Sequence, residues 1–171
     1  PTSIRSRNNG TFNNINGLTT TGGHLNTQNS AATTNTALGT VLLNTTMNWA
    51  MDVNASTKQA DTLSAGTVTV SNASVINLNS ISWTNGTALY GTKIALTTGE
   101  NTNLANAINL AVTTYTNDDL TYKLNKTVEN GIAYLNFEFG NLYTAVHRTT
   151  AIRIYTLTVD EPALASSLTG Y

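Results

Sequence analysis

The stretch 48–70, NWAMDVNASTKQADTLSAGTVTV, constrains this chain more than any other. Trp49, Met51 and Val53 alternate with Asn48, Ala50 and Asp52. That is the two-residue period of a strand, whose successive side chains leave opposite faces. Residues 56–59 are polar and turn the chain, and residues 63–70 resume extended character. The unit reads strand, polar connection, strand. No obvious catalytic group lies in it.

Composition says how many such units to expect. The 171 residues are enough for one domain with a real core. Thirty-three are Thr and 24 are Asn, together a third of the chain. Thr is β-branched and favours strands; Asn favours turns, where its side chain bonds local backbone. Many short strands joined by many tight turns follow. A hydrophobic content of 40% leaves apolar surface to bury, which excludes a disordered Thr/Asn tract. Charged residues make up only 10%, and the net charge of −1 provides no attraction for nucleic acid or an anionic membrane. The absence of Cys excludes disulfides and thiolate metal sites and is compatible with export through a bacterial envelope. No run approaches the roughly 18 apolar residues of a membrane-spanning helix. The opening PTSIRSRNNG has no apolar stretch and is not a signal peptide, so the chain is expected to be a processed product or an excised segment.

Along the chain, residues 1–36 are polar and turn-rich, 37–160 form the strand-rich body, and 161–171 form a tail or the start of a further coil, all within one β-rich domain. Asn9-Gly10, Asn16-Gly17 and Gly22-Gly23 are turn signals. Phe12, Ile15 and Leu18 are spaced by three, but the Gly and Asn around them argue for short strands. Residues 26–36 read as a loop. Residues 38–53 are the first strong strand region, with a break at Asn44-Thr45-Thr46. In 74–83, Val75, Asn77, Asn79 and Ile81 are expected on one face and Ile76, Leu78, Ser80 and Ser82 on the other. Residues 88–96 read as a strand pair bent near Gly91. Residues 100–113 are the one plausible helix, with Leu104, Ala107, Ile108 and Ala111 at helical spacing but four Asn against it. Residues 120–126 and 132–139 read as a hairpin or two edge strands about Asn130-Gly131. Residues 151–159 read as the last strong strand, ended by Pro162. Residues 149–158 also echo residues 1–10, as a unit of a longer array would.

The run Trp49-Ala50-Met51-Asp52-Val53, then Ala60-Asp61-Thr62-Leu63, then Gly66-Thr67-Val68-Thr69-Val70, resembles a recurring segment in passenger regions of large bacterial autotransporter-type surface proteins. Residues 120–124, Asn130-Gly131, 134–137 and 149–153 extend the resemblance over roughly 38–160. It implies a right-handed parallel β-helix, or β-solenoid, exposed on a cell surface and associated with the outer membrane through regions beyond these. Elementary physics points the same way. In-register parallel stacking lets Asn and Thr form ladders that satisfy one another, whereas charges stacked at ~4.8 Å would repel. The alternative is an antiparallel β-sandwich.

Few residues invite a chemical reading. His24 and His147 are the only histidines and lack metal-ligand spacing; a His/carboxylate site would need Asp118, Asp119, Glu138 or Asp160 nearby. Asp118-Asp119 could serve a Ca²⁺ site or a polysaccharide-cleaving acid pair, but a loop pair capping a strand is the plainer reading. Asp160-Glu161-Pro162 reads as a turn. Trp49, Trp83, Tyr90, Tyr115, Tyr122, Tyr134, Tyr143 and Tyr155 could line a sugar-binding face; Trp49, Trp83 and Tyr134 are expected to pack in the core or cap coil ends. Asn9, Asn44, Asn54, Asn72, Asn85 and Asn125 open N-x-[ST] sequons. We therefore assign no catalytic, cofactor-binding or metal-binding residue. Trp49, Asp52 and Asp61 read as a boundary between stacked rungs. The expected role is a stalk, filament or adhesin segment without catalysis. Its partners would be further copies, joined head to tail or laterally, or surface glycans and proteins, with no nucleic acid and no membrane insertion by this segment. A ligand-binding adhesin, pilin-like or virion surface sandwich is the alternative, and a polysaccharide-degrading β-helix enzyme the third.

Overall fold

The computed structural model describes residues 2–5, 18–20, 23–86, 90–117 and 120–139. Among these the protein is all-β apart from one short helix. In chain order the elements are β1 (Thr2–Arg5), β2 (Leu18–Thr20), β3 (Gly23–Asn26), β4 (Asn35–Ala37), β5 (Val41–Leu43), β6 (Met47–Asn54), β7 (Gln59–Ala60), β8 (Thr62–Ser64) and β9 (Val68–Val70). There follow β10 (Ile76–Asn85), β11 (Lys93–Ala95), α1 (Thr102–Ala107), β12 (Ile108–Leu110), β13 (Thr114–Asn117), β14 (Leu120–Glu129) and β15 (Ile132–Phe139).

Three ladders are parallel. The first sheet runs β1-β3-β6-β10-β12, with β7 folded back antiparallel on β6; the second is β2-β5-β9 and the third β4-β8. The chain visits them in a repeating order: β3, β4, β5, then β6, β8, β9. A parallel bridge between Leu63 and Thr97 extends the β4-β8 ladder on the next pass. Successive strands of the first sheet are joined by Gly23↔Met47, Met47↔Ile76 and Ile76↔Ile108, steps of 24, 29 and 32 residues. The passes differ in length because the connections do, while the strands keep register. The irregular strand spacing of the sequence has this cause.

Register sets the core. Leu25, Trp49, Leu78 and Leu110 stand over one another, as do Met47, Ile76 and Ile108. Of these seven, all but Leu110 are buried, and Leu110 packs against the core cluster. Strand pairing runs across the 36/37 position, since β3 pairs with β6 and β4 with β8. Residues 26–36, expected as a loop, are a loop only between β3 and β4. The extended stretch 63–70 is two strands with a corner between them. At that corner Gly39 takes a left-handed φ of 62°, and Gly66 N–H donates to Gly39 O at 2.8 Å. A Cβ at Gly66 would stand 3.5 Å from that oxygen, an ordinary van der Waals contact, so it is the backbone hydrogen bond and the positive φ of Gly39 that set one corner on the next.

The expected alternation in 74–83 fails at Asn79. Leu78 pairs with Trp49 and Ser80 with Ala50, leaving Asn79 as the extra residue of a β-bulge. Ile76 and Leu78 point inward before it. After it Ile81 and Trp83 pair with the buried Met51 and Val53 and pack against the same core. Without the bulge Ile81 would face the opposite way, as the strict two-residue period predicts.

The helix is real but stops at Ala107, with 108–110 extended as β12. Asn101 caps its start, accepting from Leu104 N at 3.0 Å through its side chain. The expected hairpin forms between β14 and β15. Asn130 and Gly131 have φ of 50° and 73°, the positive pair of a two-residue hairpin turn. β11 and β13 flank this hairpin to make a four-stranded antiparallel sheet, β11-β15-β14-β13. Of the expected strand pair at 88–96, the described part forms β11 after the positive φ of Gly91. The expected strand at 151–159 and the turn at 160–162 lie outside the described residues.

Deleting Asn79 should leave every inward residue of β10 in place, and we expect a stability change within about 1 kcal/mol. Deleting Ala50 from β6 turns Met51 and Val53 outward and should cost several kcal/mol, on the order of the loss of two core side chains. Chemical denaturation of the two variants checks this; equal losses would contradict the bulge assignment.

Candidate functional site

The most unusual chemistry lies on β6 and just after β7. Asp52 and Asp61 are both fully buried. They meet because β7 folds back on β6, where Asp61 N donates to Asp52 O at 3.0 Å. The Asp61 carboxylate accepts from three residues: Thr34 N at 2.9 Å and Thr27 Oγ1 at 3.0 Å in the β3–β4 loop, and Asp52 N at 2.8 Å in β6. Asp52 Oδ2 accepts from Asn29 N at 2.6 Å and Ser30 N at 2.9 Å. Trp49 Nε1 donates to Thr27 Oγ1 at 3.3 Å, which ties the core indole to the same network. The loop between β3 and β4 thus hangs on two carboxylates.

Among the described residues these carboxylates are compensated by N–H and O–H donors, with no cation among their partners. Burial pushes Asp61 from the usual 3.8 up to about 6; the bonds from Asp52, Thr34 and Thr27 oppose the rise and the charge of Asp52 adds to it. Asp52 Oδ1 is buried without a hydrogen-bond partner. Both residues are at 0% exposure, and the pair ties the β3–β4 loop to β6 from inside.

A second polar feature lies on the outer face of the first sheet. Register aligns His24, Asn48, Asn77 and Asn109 in one row. Asn109 Nδ2 donates to Asn77 Oδ1 at 2.7 Å, and Asn77 Nδ2 donates to Asn48 Oδ1 at 3.1 Å. Asn77 thus offers a donor to one neighbour and an acceptor to the other, as identical in-register side chains can. The outer face of the β4-β8 ladder repeats the device in shorter form, with Thr62 Oγ1 and Thr98 Oγ1 both reaching Asn35 Oδ1.

The remaining sequence candidates disperse. His24 is half-buried in the amide row and lies far along the chain from any acid of the hairpin. Glu138 is exposed and accepts from Asn125 Nδ2 at 2.6 Å. Asp118, Asp119, His147, Asp160, Tyr143 and Tyr155 lie outside the described residues. Among the described residues, no three His, Cys, Asp or Glu side chains come together as a metal site would require. The aromatic residues are mostly core. Trp49 is fully buried, Tyr115 and Tyr122 are 5% exposed, and Trp83 packs on Tyr115 with centroids 4.1 Å apart. Tyr134 lies under the Lys93 ammonium at 4.1 Å. Tyr90, 63% exposed, is the open member of the set. Of the described sequon asparagines, Asn72 and Asn85 are exposed and Asn44, Asn54 and Asn125 half-buried. The Asp52–Asp61 tie went unassigned in the sequence because the two lie nine residues apart with nothing but the fold-back of β7 to join them. Two isolated acids flanking apolar strands were the available signal.

No known protein family, curated protein or solved structure matches this sequence.

The raised value at Asp61 fixes a sign. The folded chain holds the proton more tightly than the unfolded chain, so Asp61 costs nothing below about 3.8. Its cost grows as pH rises through about 6 and is then constant, at about 3 kcal/mol. We expect the denaturation midpoint to fall between about pH 4.5 and about pH 6.5, and the fall to shrink in Asp61→Asn, which cannot ionise. An unchanged slope in that variant would remove Asp61 as its source. In the amide row, Asn77→Ala breaks two hydrogen bonds and should cost about 1–2 kcal/mol, against about half that for Asn109→Ala, which breaks one. Thermal melts of the two variants rank them.

Proposed function

We propose that this chain is a structural segment of a bacterial cell-surface protein, wound as a right-handed parallel β-helix, that acts as stalk, filament or adhesin and catalyses no reaction. The observation that carries the reading is the repeated order β3-β4-β5, β6-β8-β9 across three parallel ladders in register. A chain that returns to the same three ladders on each pass stacks each pass on the last, and one pass alone cannot bury its inward face. The right hand follows from the strong preference of crossovers between parallel strands, about 98% of cases. The first run of the autotransporter-type resemblance, residues 49–70, falls within a single pass from β6 to β9, while its later residues 120–137 lie in the β14-β15 hairpin. Surface placement rests on that resemblance and on a Cys-free, weakly charged composition.

The absence of catalysis in this reading is supported by the commitment of Asp52 and Asp61 to backbone donors and by the burial of Trp49, Tyr115 and Tyr122, which takes them away from a sugar-binding face. Contacts in this reading are made through the outer faces, with copies of the chain or with surface glycans and proteins.

Negative-stain microscopy and fibre diffraction of the chain in its parent protein test the proposal. Rods with a ~4.8 Å repeat along the long axis are expected. Compact particles that bind glycans saturably would replace it with the adhesin-sandwich reading. Polysaccharide turnover lost in the Asp118→Asn, Asp119→Asn variant would replace it with the enzyme.

A further inference from the structure

Among the described residues the three parallel ladders all stop on the same side, and each stops by a different means. On the first sheet β12 is the terminal strand. Ala111 N donates to Leu78 O, so the peptide groups of Asn109 and Ala111 face β10 while those of Ile108 and Leu110 face away. The outward carbonyl of Ile108 accepts from the Lys126 ammonium, carried in by β14. The same ammonium donates to Ala105 O at 2.9 Å, at the end of α1. Burial lowers the pKa of Lys126, and these carbonyls supply the partners that replace water.

On the second sheet β9 is terminal. Ser71 N donates to Leu43 O and Val41 N to Thr67 O, so Val68 faces away from β5. Its carbonyl accepts from Asn103 Nδ2 at 3.4 Å. At the adjoining corner Asn101 Nδ2 donates to Ala65 O at 3.0 Å and Gly66 O at 2.9 Å. The place of a next strand is taken by α1, whose asparagines supply the donors that strand would have supplied. On the third ladder, Leu63 bonds to the 96–98 backbone, through Leu63 N to Leu96 O and Thr98 N to Leu63 O. The segment that makes this parallel rung then turns its other side to β15, antiparallel, with Leu96 N donating to Ala133 O at 2.8 Å.

We infer that residues 101–139 form a terminating cap: they occupy the β12 side of the stack against strand addition, so that a second copy of the chain cannot add there. Unpaired sheet edges recruit further strands, and a buried lysine, side-chain donors and a change of strand direction are ways to prevent it. Among the described residues, strands β1, β2 and β4 stand at the opposite side of the ladders. Addition of a second copy is expected at that side and not at the β12 side. The inference rests on the stacked reading and assigns residues 101–139 the closing of one of its two sides.

The test is open-ended association. The double variant Lys126→Met, Asn103→Ala removes one donor from each of two ladders. A heterologous contact between an uncapped β12 side and the β1 side of the next copy does not close, so it grows. Sedimentation velocity should show the weight-average mass of the variant rising at least about twofold over a wide concentration range, with near-ultraviolet circular dichroism unchanged, while the parent chain stays at monomer or closed dimer. A folded variant that sediments like the parent overturns the cap. Spin labels on Asn109→Cys in the otherwise unaltered chain, read by double electron–electron resonance, decide the matter without relying on the double variant's folding. Labels that remain uncoupled support the cap; coupling between copies overturns it. Compact particles in the microscopy above, together with uncoupled labels, would remove the rod and leave the cap standing.

Discussion

Parallel register is the constraint on which this structure depends. It stands Leu25, Trp49, Leu78 and Leu110 in one inward row and Asn48, Asn77 and Asn109 in an outward one. Like residues then meet like neighbours: hydrophobic side chains on hydrophobic side chains, and amides in donor-to-acceptor order. A charged residue repeated in such a row would repel its copies, which explains why the chain carries so few charges and so much Asn and Thr. Connections can vary in length from one pass to the next, because only the strands must coincide.

The two buried aspartates belong to the same logic. A connection that leaves one ladder and joins another exposes peptide N–H groups with no strand partner, and buried N–H groups need acceptors. Asp52 and Asp61 provide them for the loop between β3 and β4, at the cost of burying two carboxyl groups with no cation beside them among the described residues. Burial accordingly pushes the Asp61 carboxyl up. At the end of the stack the polarity of the solution reverses: unpartnered carbonyls need donors, and Lys126, Asn101 and Asn103 supply them.

Much of this was legible in residue order. The break at Asn44-Thr45-Thr46 between β5 and β6 and the hairpin about Asn130-Gly131 both follow from turn chemistry. The strict period misled at Asn79, because a bulge is a property of two paired strands and leaves no mark in one of them. Helical spacing overran at 108–110, because the next strand position beside β10 was available to those residues and paired backbone outweighs weak local preference in an Asn-rich segment. Of the candidate chemistry, Asp52 and Asp61 were visible as isolated acids, and nothing in their spacing revealed that they converge.

By itself the sequence determined that the protein is all-β, with short strands, Asn- and Gly-marked turns and a charge-poor surface, because those are local matters of side-chain period, branching and turn preference. The tertiary structure alone decided which strands run parallel, which residue the bulge absorbs, that two carboxylates serve one loop, and that the asparagines of α1 reach the backbone of the β8-β9 corner. Each of these depends on hydrogen bonds between segments some 20 to 40 residues apart, such as Gly23 with Met47 and Ala65 with Asn101, and no local pattern specifies such a partner.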